Sequence, residues 1–135
     1  MTNEEGWKDV AFNSRDPVYL QVVRLFMEKL VTGRLAAGQV IPSRRELASL
    51  LKINPNTAQK AYKEMEERRL IVTEGNAPSR VTEDAGVLRG IRAALVEEAA
   101  DEFIAAVRRI GMPADELIEL VRRKYDERQG GGAHD

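Results

Sequence analysis

The segment from Pro55 to Arg69 has side chains that could read DNA. Its apolar residues recur at helical spacing, which predicts an amphipathic helix with one buried stripe. That stripe consists of Ala58, Ala61, Tyr62 and Met65. At about 100° per residue, Asn56, Lys60 and Lys63 point away from it, and Gln59 lies at the flank. Asn and Gln can bond adenine at two atoms and Lys can reach guanine or phosphate, so this face suits a major groove.

Hydroxyl groups at the starts of two predicted helices could hold the phosphate backbone. Ser43 precedes the first helix, residues 44–51, and forms a capping-box pattern with Glu46. Thr57 lies in the first turn of the second helix, where hydroxyls, backbone N–H groups and the helix N-terminus all attract phosphate. Three carboxylates later in that helix would repel phosphate, so we expect its N-terminus to approach DNA. They are Glu64, Glu66 and Glu67.

These two helices have the size and spacing of a helix-turn-helix. Arg44–Leu51 and Pro55–Arg69 are separated by a tight turn, and small polar residues open the second helix. From the pattern alone, an ordinary helical hairpin with a solvated face is the alternative. Residues 70–73 and 79–82 are β-prone on either side of a Gly-Asn-Ala-Pro turn, which predicts a small wing.

Helical periodicity continues on both sides of this unit. Asp16 and Pro17 predict a helix start with Asp16 as N-cap, and Gly33 predicts its end near Thr32. From Asp84 a long apolar stripe predicts another helix, and a shorter one follows a Gly-Met-Pro break. The shorter helix can cover only part of the stripe, so we expect a dimer interface. The expected interface residues are Leu88, Ile91, Leu95, Phe103, Val107, Leu117 and Val121.

The expected fold is mainly α with a small β wing, in which an N-terminal winged helix-turn-helix precedes a C-terminal two-helix dimerisation hairpin. The predicted segments are an arm (1–15), the winged helix (16–83), the helical dimerisation domain (84–129) and a flexible glycine-rich tail (130–135). We expect Trp7, Val10 and Phe12 to hold part of the arm against the body. The alternative to dimerisation is that the long stripe packs on its own winged helix.

The charge of the chain is unevenly distributed, although its formal net value is only −1. Residues 1–80 carry 13 Lys and Arg against 10 Asp and Glu, whereas residues 81–135 carry 8 against 12. A mildly basic first half joined to an acidic second half suggests two tasks, although chance variation of solvated faces could give the same asymmetry. The chain has no cysteine, no apolar run long enough to cross a bilayer and an acidic N-terminus. We therefore expect a cytoplasmic protein that does not contact membranes.

Residues suited to catalysis are scarce in this sequence. The only histidine is His134, in the glycine-rich tail, and neither Ser43 nor Ser79 has a base nearby in a motif. No phosphate-binding glycine loop and no metal-ligand spacing occurs. We therefore expect no enzyme activity, no cofactor and no metal. Two C-terminal helices also enclose too little space for a dedicated effector pocket, although a small-molecule site in the cleft of a dimer stays open.

Several separated motifs occur in one order between Phe12 and Thr82. They are Pro17-Val18-Tyr19-Leu20-Gln21, Gly33-Arg34-Leu35 with Gly38, Pro42-Ser43-Arg44-Arg45-Glu46-Leu47-Ala48, Asn54-Pro55-Asn56-Thr57, and Ala61-Tyr62 with Met65-Glu66. In order and spacing they closely resemble the GntR family of bacterial regulators, and the Asn-Pro-Asn-Thr segment resembles its YtrA subfamily. YtrA-like proteins have a short tail of two helices, and the break at residues 110–113 also resembles the usual break between those helices.

This resemblance implies a homodimer that binds an inverted repeat, usually as a repressor of its own operon and of neighbouring transporter genes. In the family the Arg of Pro-Ser-x-Arg reads DNA; here it is Arg45, whereas Arg44 occupies a variable position of the motif. The start of the family's recognition helix corresponds to Asn54, Asn56 and Thr57. Lys60 is a further candidate contact. The competing function is a winged-helix adaptor that binds proteins, and it should lack a salt-dependent affinity for DNA.

The predicted wing departs from the family pattern. The family usually has Arg-Gly-x-Gly-Thr there, whereas this chain has Thr73-Glu74-Gly75-Asn76-Ala77-Pro78. The Arg and the second Gly are missing, and Glu74 adds a negative charge. We therefore expect the wing to contribute little to DNA binding, with Arg80 as a candidate phosphate contact.

Overall fold

The structure is a computed structural model that describes Trp7 and residues 10–133, with side chains described as far as residue 128. Helices make up most of it, and a short antiparallel sheet forms the wing. In chain order the elements are α1 (Val18–Val31), α2 (Arg44–Leu51), α3 (Pro55–Glu67), β1 (Ile71–Val72), β2 (Arg80–Val81), α4 (Ala85–Arg108) and α5 (Ala114–Ala133). This is the mainly α fold with a small β wing that the sequence predicts.

The first helix begins slightly later than predicted. Pro17, rather than Asp16, is its N-cap, and no side chain caps it. The Gln21 amide holds the preceding turn instead, because it donates to the backbone carbonyls of Asn13 and Asp16 at 3.0 and 2.8 Å. Gln21 therefore fixes the turn that precedes α1, although no side chain caps the N–H groups at the start of the helix. The helix ends at the predicted place, where Gly33 adopts a left-handed φ of +79°.

The next two helices begin where the sequence predicts. Ser43 and Glu46 form a complete capping box, with 3.1 Å from the Glu46 N to Ser43 Oγ and 2.8 Å from the Ser43 N to Glu46 Oε1. Hydrogen bonds from the Ser43 backbone and side chain hold the pKa of the Glu46 carboxyl below its ordinary value. Asn54 caps α3 by accepting the Asn56 N–H at 2.7 Å. Local capping therefore sets where both helices of the helix-turn-helix begin.

The stripe of α3 lies at the centre of the core. Its four predicted members are each at most 1% exposed, and both α1 and α2 pack against α3. The expected anchors of the arm are also confirmed. Trp7 is buried and stacks on Phe26, with ring centroids 6.4 Å apart, while Val10 and Phe12 pack partly buried against the core. Residues 1–6, 8 and 9 of the predicted arm lie outside the described residues.

The wing buries one face of its sheet. Ile71 pairs with Val81 and Val72 with Arg80 in antiparallel register. The first pair is buried and the second exposed, as the alternation of side chains along a strand requires. Val40, in the loop before α2, forms an isolated bridge with Arg80. The wing is therefore joined directly to the segment that leads into the helix-turn-helix.

The chain divides into two compact units, residues 1–96 and 97–135, so the division falls within α4 and not at the predicted boundary after residue 83. Ile91 is buried in the core of the first unit, and Leu88 and Leu95 pack against that core. The sequence predicts these three residues at a dimer interface. They instead pack on their own winged helix, which is the alternative prediction. The periodicity of an amphipathic helix shows that a face is buried but does not show which surface covers it.

The second unit contains the rest of α4 and all of α5. An open groove of about 400 Å³ runs between the two helices, and three residues of the predicted interface line it: Phe103, Leu117 and Val121. The predicted flexible tail is helical as far as Ala133. A glycine in an established helix costs only about 1 kcal/mol relative to alanine, so three glycines do not force an end. Residues 134 and 135 lie outside the described residues.

The helices that the structure describes include none that is both long and apolar enough to span a bilayer.

Candidate nucleic-acid interface

The outward face of α3 has the polar side chains that the sequence places there. Those exposed on it are Asn56, Gln59, Lys60 and Lys63. Thr57 is partly buried beside them. Because the opposite stripe is buried, this face of the helix is the one free to enter a groove.

One side chain of this face rests on a different helix. Lys60 Nζ lies 4.8 Å from the centre of the Tyr19 ring, which α1 supplies. A cation–π contact restricts where the ammonium group goes and leaves it exposed to a ligand. Tyr19 thus contacts a candidate DNA-binding residue, although no sequence pattern indicates it. No local pattern pairs it with Lys60, because the two residues are far apart in sequence.

The start of α2 presents Ser43 and Arg45 to solvent. Ser43 Oγ accepts the capping bond from the backbone, so its own O–H proton remains available to a phosphate oxygen. Asn54 similarly uses its Oδ1 to cap α3, which leaves its NH₂ group as a donor. These two capping residues therefore position their helices and still present donors at the expected interface.

Arg44 differs from its neighbour Arg45 in where its charge is held. Its side chain is only 33% exposed, and its Nη2 lies 3.3 Å from Glu66 Oε2. The guanidinium carbon is 5.1 Å from the centre of the Tyr62 ring. Its Nε is buried and has no hydrogen-bond partner among the described residues. Much of this guanidinium group is committed to contacts within the protein, which weighs against its predicted contact with DNA.

The wing faces the start of α2 across a cleft of about 680 Å³, lined by Ser43, Arg45 and residues 75–79 among others. Arg80, the candidate phosphate contact of the wing, is exposed, but its Nη1 donates to the Gly38 carbonyl at 3.0 Å. Glu74 is exposed at the start of the wing turn. The wing therefore adds a negative charge, and its arginine is partly engaged by the chain itself.

Two of the three glutamates expected to repel phosphate form ion pairs. Glu64 Oε2 lies 2.8 Å from Arg68 Nε, and Glu66 Oε2 lies 3.3 Å from Arg44 Nη2. Glu67 is exposed. The second half of α3 is thus less repulsive toward phosphate than its sequence indicates, and Lys63 is exposed there.

Comparison with known proteins identifies the family. The family sequence model described as bacterial regulatory proteins, gntR family, matches residues 18–81, which span α1 to β2. The HTH-type transcriptional regulator YhcF of Bacillus subtilis is 31% identical over 114 residues, which cover 84% of this chain and 94% of that protein. The chain belongs to the GntR family. A solved GntR family transcriptional regulator from Listeria monocytogenes has a TM-score of 0.74 at 31% identity, over 83% of this chain and 98% of that one.

Within the GntR family the chain is YtrA-like. The HTH-type transcriptional repressor YtrA of Bacillus subtilis is 29% identical over 124 residues, covering 90% of this chain and 95% of that protein. The resemblance inferred from the motifs is thus confirmed, and so is the winged helix followed by C-terminal helices. The protein is a DNA-binding transcriptional regulator, because its family and its relatives are regulators and not enzymes.

Proposed function

We propose that this GntR-family protein is a repressor that binds an inverted-repeat operator as a homodimer and controls its own operon and neighbouring transporter genes. The exposed face of α3, opposite a fully buried stripe, is the observation that carries this proposal. The similarity to YtrA, which is named a repressor, supports repression. In this proposal residues 16–83 bind DNA, with the first turns of α4 completing their core, and the rest of residues 84–129 forms the dimer.

Arg45 and Asn56 are the proposed base-reading residues, and Lys60 is a further contact. Arginine bonds guanine at two atoms and asparagine bonds adenine at two atoms, so the pair can specify sequence. Phosphate contacts, which position the protein without reading sequence, fall to the residues around them. The residues proposed for these phosphate contacts are Ser43, Thr57, Lys63 and Arg80, and Asn54 and Gln59 are further proposed contacts with DNA.

The groove of the second unit is the proposed dimer interface. Phe103 and Val121 are each 42% exposed and Ile118 is 55% exposed, although all three are apolar and line one groove. A second copy related by a two-fold axis would cover the groove with the same residues, since such an interface is self-complementary. The dimer would then place two recognition helices about 34–36 Å apart, which is one turn of DNA.

Selection of DNA by the intact protein tests this proposal. The wild-type chain is incubated with a random-sequence duplex library, and the recovered duplexes are sequenced and footprinted. We expect an inverted repeat with two protected half-sites about one helical turn apart, and an affinity that falls steeply as salt is raised. Recovery of no shared sequence, together with an affinity that salt does not change, would instead favour the winged-helix adaptor.

The negative charge of the wing leads to a separate prediction. Glu74→Arg should strengthen binding to the selected operator and to a scrambled duplex by similar factors, because the new charge attracts phosphate irrespective of sequence. Fluorescence anisotropy with both duplexes measures it. Glu119→Arg, the same charge change on exposed surface of α5, is the matched control and should have a smaller effect. Weaker binding by Glu74→Arg would mean that the wing already makes a contact that depends on Glu74.

A further inference from the structure

A chain of polar contacts joins the wing to both helices of the helix-turn-helix. Glu66 Oε2 accepts from Arg44 Nη2 at 3.3 Å and from Thr73 Oγ1 at 2.9 Å. Thr73 Oγ1 also lies 2.5 Å from Ser79 Oγ. Because the single hydroxyl proton of Thr73 goes to the carboxylate, Ser79 donates to Thr73. One carboxylate of α3 thus connects the start of α2 with both arms of the wing turn.

The arginine of this chain of contacts is also held from its other side. Its guanidinium lies over the Tyr62 ring, and the Tyr62 hydroxyl donates to the Pro42 carbonyl just before α2. Burial raises the pKa of Tyr62, so the phenol stays protonated and able to donate. Tyr62 belongs to the buried stripe of α3. The start of α2 is therefore fastened to α3 at two residues on either side of Ser43, namely Pro42 and Arg44.

We propose that Arg44, Glu66, Thr73 and Ser79 form a clasp that fixes the start of α2 and the wing relative to the recognition helix. Arg44 is then a positioning residue, which supports DNA binding through the clasp and not by touching DNA. This proposal rests on the DNA-binding role proposed above. Its consequence is that Arg45 and the wing turn are held in place before DNA arrives, so less conformational freedom is lost on binding.

Replacing Glu66 tests the clasp, because the clasp and simple charge repulsion predict opposite changes in the affinity for DNA. Glu66→Gln removes a negative charge near the DNA, which by electrostatics alone should strengthen binding. The clasp predicts binding to the selected operator weaker by about two- to tenfold, the range expected for the loss of one ordinary hydrogen bond. Glu67→Gln, the same change at the adjacent exposed residue outside the clasp, should leave binding unchanged or slightly stronger.

A double-mutant cycle then tests whether Arg44 acts through Glu66. Arg44→Met and Arg44→Met/Glu66→Gln should bind about equally weakly, and the dependence of log Kd on log salt should keep its wild-type slope. Loss of a direct phosphate contact would instead lower that slope by about 0.9 and add to the effect of Glu66→Gln. A lowered slope with additive effects, or stronger binding by Glu66→Gln, overturns the clasp.

A third variant decides the case if either charged-residue variant fails to fold. Thr73→Val keeps the side-chain shape, leaves both charges in place and removes the hydrogen bond from the wing to Glu66. The clasp predicts weaker operator binding with an unchanged salt slope, and unchanged affinity in a folded Thr73→Val protein overturns it. Failure of the proposed function looks different, because the wild-type chain itself would then select no operator.

Discussion

Replacing Arg45 or Asn56 with alanine is expected to weaken operator binding by about 1–3 kcal/mol each. Both side chains are exposed, Arg45 at the start of α2 and Asn56 in the first turn of α3. A residue that reads a base also determines which base is accepted, so each variant should lose discrimination at one position of the half-site. Anisotropy titrations with the selected operator and its single-base variants measure both effects.

The control for these variants separates base reading from loss of charge. Arg109→Ala removes one positive charge from an exposed residue of the second unit and should leave operator affinity within about twofold of wild type. Lys63→Ala, at a proposed phosphate contact, should weaken selected and scrambled duplexes alike and reduce the salt slope by about 1. If the Arg45 and Asn56 variants keep wild-type affinity and specificity, the proposed reading face is wrong.

Placing two carboxylates in the groove of the second unit should convert the proposed dimer to a monomer. In Phe103→Asp/Val121→Asp, two charges would have to be buried without partners if the groove were covered by a second copy. Sedimentation of the intact protein at micromolar concentration should therefore give a dimer for wild type and a monomer for the variant. Operator affinity should fall by orders of magnitude, because each monomer can hold only one half-site.

A matched aspartate away from the groove tests whether position, and not charge, causes the effect. Ala105 is exposed on α4, is not among the residues that line the groove, and lies about 200° around the helix from Phe103. Ala105→Asp should sediment as wild type. Circular dichroism should show helix content retained in both variants. A wild-type monomer, or a Phe103→Asp/Val121→Asp protein that remains dimeric, would refute the proposed interface. Leu95 is unsuitable for this test, because it packs against the core of its own winged helix.

Features encoded by neighbouring residues could be predicted from the sequence. The bounds of α2 are those predicted, since Ser43 and Glu46 satisfy each other within one turn. The buried stripe of α3 is also confirmed, because helical periodicity specifies which side chains share a face. The exposed positions of Asn56 and Lys63 follow from the same periodicity. The motifs that identified the GntR family are likewise stretches of adjacent residues.

The tertiary structure alone decided which groups meet across the fold. Adjacent in sequence, Arg44 and Arg45 carry the same charge, yet only Arg44 lies against Glu66 and Tyr62 of α3. The contact of Lys60 with Tyr19 depends in the same way on how α1 crosses α3. The long stripe of α4 is shared between the winged-helix core, which takes Ile91, and the groove of the second unit. Local pattern shows that a side chain needs a partner, whereas the packing of distant segments determines which partner it meets.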